Sequence, residues 1–126
     1  MTTGEVPRKN KFEKNPHFRK VINNRWLDDE VDDDLSIIID VDRESFFLLC
    51  GCCHAGLINT LERVKTLTGK TKCYGVMGGL HLVGASQERI DFTISELKKW
   101  NPEVIIPLHC SGREAMCQLK FHFPEK

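Results

Sequence analysis

Apolar and polar positions follow two regimes along this chain. Leu35–Val41 and Ser45–Cys50 are nearly unbroken apolar runs, rich in β-branched and aromatic residues and separated by the polar Asp42-Arg43-Glu44. This predicts two strands joined by a tight turn, with both faces covered because neither run alternates. Leu57, Ile58, Leu61, Val64 and Leu67 then recur at helical period. They predict a helix over 57–68, stopped by Gly69. Lys72–Gly79 reads as a strand running into a Gly-Gly turn. Ile90, Ile94 and Leu97 predict a second amphipathic helix over 87–100, with Ser86 as its N-cap and Asn101-Pro102 as its end. Val104–Pro107 is the last strand. Ser111-Gly112-Arg113-Glu114 has the form of a capping box and opens a short helix to Leu119. The expected order is β-β-α-β-α-β-α, a layered α/β unit over residues 35–120.

The flanks carry less pattern. Residues 1–34 are polar, interrupted by Pro7 and Pro16, and are expected to be irregular. Trp26-Leu27 is their one strong apolar pair. The acidic run Asp28–Asp34 reads as a solvated loop. A calcium loop is disfavoured, because no glycine stands at the turn and no glutamate closes a twelve-residue loop. Residues 121–126 are a tail without periodicity. A chain of 126 residues suffices for one small domain with a real core. Its 18 basic and 18 acidic residues balance, which argues against nucleic acid and anionic membranes as partners. No apolar run approaches the roughly 18–20 residues that span a bilayer. No apolar signal core opens the chain, so the expected location is cytoplasmic.

Candidate chemistry gathers where strands end. The run FFLLCGCCHAG ends in Cys52, Cys53 and His54. VIIPLHCSG ends in His109 and Cys110. Gly78-Gly79-Leu80-His81 ends the strand between them. Neighbouring parallel strands lie about 4.8 Å apart, so side chains at their ends can converge on one ion. Neutral imidazoles are common ligands for zinc, iron and manganese. His54 and His109 are the first candidates as metal ligands. His81 is either a third ligand or a pocket residue. Cys52, Cys53 and Cys110 flank these histidines as thiolate ligands, nucleophiles or packing residues. Gly78, Gly79 and the Ser111 helix start form a weaker candidate phosphate site. His17 and His122 stand in polar or terminal segments and read as bystanders. The six cysteines cluster instead of spreading through loops, which argues against a disulfide framework. A redox pair of the adjacent Cys52 and Cys53 is disfavoured by disulfide geometry.

In order, TGEVPR, the acidic residues before the hairpin, GCCHAGLINTLERVKTLTG, YGVMGGLHL and SQERIDFTISELKKWNPEVIIPLHCSG resemble the carboxyl-terminal half of a metallo-β-lactamase-fold family. The branch is the dihydropterin-methyl-ribofuranosylaminobenzene-phosphate synthase-like one, linked to methanopterin biosynthesis. The resemblance covers nearly the whole chain. It implies an αββα sandwich with a divalent metal, zinc first and iron or manganese as alternatives, at one edge of the sheets. It implies that His109 matches the family's last metal histidine and that His54 matches the histidine of the GC-[SC]-HAG corner. The family's His-x-His-x-Asp-His motif has no counterpart in this sequence. The resemblance therefore implies half of a site, inactive alone, completed by an amino-terminal half or by self-association. No aspartate stands at the corner where the superfamily places a bridging one, so a standard dinuclear site is not expected; Cys52 or Cys53 is the substitute to consider. The implied activity is that of a metal-dependent hydrolase or transferase acting on a small phosphate or pyrophosphate ester. The alternative is a non-catalytic remnant that serves as an assembly or binding module.

Overall fold

Two cross-strand rows organise the molecule. In the computed structural model, which describes residues 1–14 and 18–126, strands β3 (Ser36–Asp40), β4 (Ser45–Cys50), β5 (Lys72–Gly79) and β6 (Val104–Leu108) form one sheet in the order β3-β4-β5-β6. β3 pairs antiparallel to β4, while β4, β5 and β6 are parallel. The register sets Ile38, Leu48, Val76 and Ile105 side by side on one face. It sets Ile37, Leu49, Met77 and Ile106 side by side on the other. The first row is buried in a single core with Leu61 of α1 (Leu57–Thr68), Ile94 of α2 (Gln87–Trp100) and Leu119 of α3 (Arg113–His122). Connections between parallel strands are right-handed almost without exception, which puts α1 and α2 on the same side.

No helix among the described residues covers the opposite face. Ile37 and Ile39 are 47% and 46% exposed, and Tyr74, Ile106 and Leu108 are exposed as well. This corrects the expectation that both faces of the first hairpin are covered. The unbroken apolar pattern is real, but within the described residues only its helix side has a partner. The edge of β3 is partly blunted. Thr2 bridges to Ile37, Thr3 N–H donates to Ser36 O at 2.9 Å, and Thr3 Oγ1 accepts from Ser36 N–H at 3.1 Å.

Several local expectations hold for stated reasons. Asp42 Oδ1 accepts the N–H groups of Glu44 and Ser45 at 2.8 and 2.7 Å and closes the turn between β3 and β4. Gly69 ends α1 in the left-handed region and returns its N–H to Lys65 O. Ser86 Oγ accepts from Arg89 N–H at the start of α2. The capping box at Ser111 does not form. α3 starts after Gly112 without a side-chain cap, preceded by a 3-10 turn over His109–Ser111, and it runs on to His122. Phe123, in the stretch expected to be a tail, is buried.

The amino-terminal segment also departs from expectation. It contains a hairpin, β1 (Arg19–Ile22) and β2 (Arg25–Asp28), turned by Asn23 and Asn24 with φ of 51° and 59°. Both values suit the mirror-image turns that match strand twist. Pro16 and His17 lie outside the described residues. No helix among the described residues is long and apolar enough to cross a membrane.

Residues 8–14 do structural work at the start of α1. Gly56 precedes that helix and offers no side-chain cap. The buried Glu13 carboxylate takes the role from 45 residues away. Its two oxygens accept Ile58 N–H and Asn59 N–H, each at 2.8 Å, and Asn10 Nδ2 donates to it at 2.7 Å. A Cβ on Gly56 would lie 2.3 Å from Glu13 Cδ, so this approach requires glycine there. Burial raises the Glu13 pKa above its ordinary 4.5, against the lowering effect of the hydrogen bonds from Ile58, Asn10 and Asn59 and of the Arg89 charge.

Glu13→Ala leaves two buried N–H groups without a partner and should cost about 3 kcal/mol of unfolding free energy. Because the folded chain holds the Glu13 proton more tightly than the unfolded chain, this carboxyl contributes its full stability below 4.5. The contribution falls as pH rises through the folded value, and Glu13→Gln should flatten that slope in urea titrations. Separately, Leu48→Ala should cost about 2–5 kcal/mol, and Ile37→Ala in the facing row well under half as much. Equal losses would contradict the one-sided core.

Candidate metal centre

β4, β5 and β6 end at one level. Cys50 pairs with Gly78, and Gly79 pairs with Leu108. Just beyond each end the chain enters the left-handed region at a residue other than glycine: Cys53 at φ 61°, His81 at φ 46° and His109 at φ 47°. Each such residue costs on the order of 1–2 kcal/mol. Strain of this kind persists only where surrounding contacts over-determine it, and it clusters at functional sites.

Those contacts are visible. Ser111, fully buried, accepts Leu80 N–H at 3.1 Å through Oγ and donates to Gly78 O at 3.4 Å. Leu82 and Val83 N–H both donate to Cys110 O, at 3.1 and 3.0 Å, and Gly79 N–H donates to Gly51 O at 3.0 Å. A Cβ on Gly79 would lie 2.6 Å from Gly51 O and 2.7 Å from Cys110 Sγ. The glycine therefore lets the β4 and β6 corners close over β5. Gly78, Gly79 and Ser111, the candidate phosphate contacts, are all engaged in this stitching.

The donor groups fall into two neighbouring sets. Cys52 Sγ, a ring nitrogen of His109 and Cys110 Sγ all lie within 4.8 Å of one another. Cys110 Sγ also donates to Cys52 O at 3.3 Å. Burial, then the Cys110 thiol, then the Asp34 carboxylate raise the Cys52 pKa. In the second set the rings of His54 and His81 stand 4.4 Å apart, centroid to centroid. Phe18 lies against both, at 5.0 Å from His54 and 5.5 Å from His81. His81 Nδ1 is buried and has no hydrogen-bond partner among the described residues. Burial, followed by the proximity of His54 and Arg89, pushes the His81 pKa down to about 4, so its imidazole is neutral at pH 7.

The structure thus brings His109 together with Cys52 and Cys110, and His54 together with His81. Cys53 joins neither set. Its Sγ is buried against Thr60 Oγ1 at 3.3 Å, inside the core. Two residues that the sequence reading passed over belong to the site. Asp34, taken as part of a solvated acidic loop, accepts His54 N–H at 2.6 Å; its position just before β3 was the available signal. Phe18 carried no signal, because only the path of residues 18–22 brings it over the histidines.

The donor set suits a divalent ion. Two thiols and an imidazole are borderline-soft ligands and leave a fourth tetrahedral position open. The buried, unpartnered Nδ1 of His81 is a further group in want of a partner. A bound cation would also reverse the forces that keep Cys52 protonated.

No protein-family model matches the chain. It is 34% identical over 129 residues to the 7,8-dihydropterin-6-methyl-4-(beta-D-ribofuranosyl)-aminobenzene-5'-phosphate synthase of Methanocaldococcus jannaschii, covering 99% of this chain and 44% of that protein. It is 33% identical over 122 residues to an uncharacterized protein of the same organism, covering 94% and 43%. Among solved structures, a metal-dependent hydrolase of the β-lactamase superfamily superposes with a TM-score of 0.74 at 24% identity, over 83% of this chain and 40% of that one. The chain spans less than half the length of each of these relatives. Its sheet and helices have the fold of one part of a metallo-β-lactamase-type α/β sandwich.

Proposed function

We propose that this chain is the metal-binding carboxyl-terminal part of a metal-dependent hydrolase or transferase of the metallo-β-lactamase superfamily, acting on a phosphate or pyrophosphate ester. The observation that carries the reading is the cluster of Cys52, His109 and Cys110 beside the His54–His81 pair, at strained ends of parallel strands. The relative that makes a pterin-linked phosphate compound supports a pterin-related substrate and a place in methanopterin biosynthesis. Zinc is the metal that the thiol-rich set favours, with iron next. Manganese, which prefers oxygen ligands, fits least.

His109, Cys52 and Cys110 would hold the ion. Held there, a divalent ion supplies Lewis acidity toward a phosphoryl oxygen or a water molecule. The remaining groups prepare the site. His81, neutral at pH 7, keeps a lone pair for a ligand or a proton. Phe18 covers both imidazoles and keeps bulk water off them. Asp34 fixes the backbone at His54, and Gly79 sets the gap between the two thiols.

The uncovered sheet face supports a site completed from outside the described residues. Ile37, Ile39, Ile106 and Leu108 form an exposed apolar surface larger than scattered single residues would give. In this reading a second sheet, from the complementary amino-terminal part of the fold or from a second copy, packs there and adds the missing ligands. The cytoplasm is the proposed location. The same open face favours a second reading, an assembly module without catalysis, in which packing proceeds but no metal is held.

Elemental analysis and zinc titration of the purified chain distinguish the two. The enzyme-part reading expects near-stoichiometric zinc. Cys52→Ser and His109→Ala should weaken binding by at least the ~10–100-fold typical of losing even a supporting group, while Cys53→Ser should not. No zinc, or zinc indifferent to Cys52 and His109, would favour the module. For the open face, sedimentation should show self-association, or association with a complementary amino-terminal part. Ile37→Glu with Ile106→Glu should abolish it while the circular dichroism spectrum stays that of the folded chain. A wild-type chain that stays monomeric in both settings would refute the packing role.

A further inference from the structure

The two thiols of the cluster lie within 4.8 Å of each other although 58 residues separate them in sequence. We propose that Cys52 and Cys110 form a reversible disulfide, a redox clasp between the β4 and β6 corners, whose closing removes two of the three donors of the metal cluster. The case for the bond rests on the observed geometry. Its effect on metal rests on the reading given under Proposed function.

Accessibility favours this pair over the Cys50–Cys53 contact, whose thiols are both buried. Cys50, Cys53 and Cys73 are buried, whereas Cys52 and Cys110 are partly accessible and Cys117 is exposed on α3. The Sγ atoms of Cys52 and Cys110 lie within 4.8 Å. A disulfide needs about 2.05 Å, so the two sulfurs must approach further for the bond to form. Gly79, with no Cβ between the corners, leaves that path open. The Cys52-Cys53 pair, adjacent in sequence, is not the alternative, because Cys53 Sγ is held against Thr60 in the core.

The chemistry balances with a two-electron oxidant such as hydrogen peroxide. One thiol is oxidised to a sulfenic acid with release of one water. The second thiol displaces hydroxide from that sulfur, forming the S–S bond and releasing a second water. Both S–H protons leave in the waters, and peroxide is the species reduced. A small dithiol reverses the step by exchange. The donors lost are the thiols themselves, since a disulfide sulfur is a poor ligand beside a thiolate.

The test uses the full chain carrying Cys117→Ser, which removes the exposed thiol that would link molecules together. The reduced, metal-free protein is treated with stoichiometric hydrogen peroxide and digested with trypsin without reduction. The expected product has lost two hydrogens and joins peptide 44–63 to peptide 100–113. Fragment spectra should place the bond at Cys52, and dithiothreitol should reverse it. Cys110→Ser should abolish the link while leaving the circular dichroism spectrum unchanged. Zinc titrations of the reduced and oxidised forms follow, with affinity expected to fall at least roughly tenfold on oxidation. No link, or a link to Cys50 or Cys53, overturns the clasp. A Cys52–Cys110 link with equal zinc binding in both forms overturns the switch. A link in a chain that binds no zinc even when reduced leaves the clasp standing and overturns the metal reading instead.

Discussion

The parallel register of β4, β5 and β6 is the constraint on which the rest of this protein depends. Because the strands run the same way and end at the same level, whatever follows each of them arrives at one edge of the sheet. Three sequence-distant segments, each rich in histidine or cysteine, therefore meet. The meeting is enforced by Ser111, which bonds β5 backbone on both sides of Gly79, and by the Cys110 carbonyl, which accepts two N–H groups from the loop after His81. These bonds offset the strain of left-handed residues at Cys53, His81 and His109. Without the register the same residues would be three unrelated corners.

Long-range polar caps are the second theme. α1 has an apolar face and a good stop but no cap of its own. Glu13 supplies one from the amino-terminal segment and so ties residues 8–14 to the core. Asp34 does the same for the backbone at His54. Both are acidic residues in stretches that look like solvent-exposed filler. Both are specified by the backbone N–H groups they meet, because a buried donor left without a partner costs more than a single hydrogen bond returns.

The open sheet face and the donor cluster belong together. A helix layer on one sheet face with the other apolar face uncovered is one layer short of the arrangement in which both faces of the sheet are covered. A cluster of three donors has room for further ligands. In the proposed reading one added layer would meet both needs; the chain spans less than half the length of the relatives it matches.

Local periodicity alone determined the elements between residues 35 and 108. The α1 and α2 boundaries and the β4 and β5 spans follow from helical and strand spacing, from Gly69 and from the Ser86 cap, because these signals act within a few residues. The histidines and cysteines that follow the predicted strands marked the strand ends as the candidate site. The amino-terminal hairpin was legible in principle, in Asn23-Asn24, but no apolar alternation accompanied it. The tertiary structure decided the remainder. It chose Ser111 as a stitch through β5 instead of a helix cap, turned Cys53 into the core, left one sheet face bare, set Phe18 on the histidines, and brought Cys52 to Cys110. Each of these depends on which segments become neighbours across tens of residues. Sequence spacing encodes direction along a strand or helix, but not which distant side chain waits at its end.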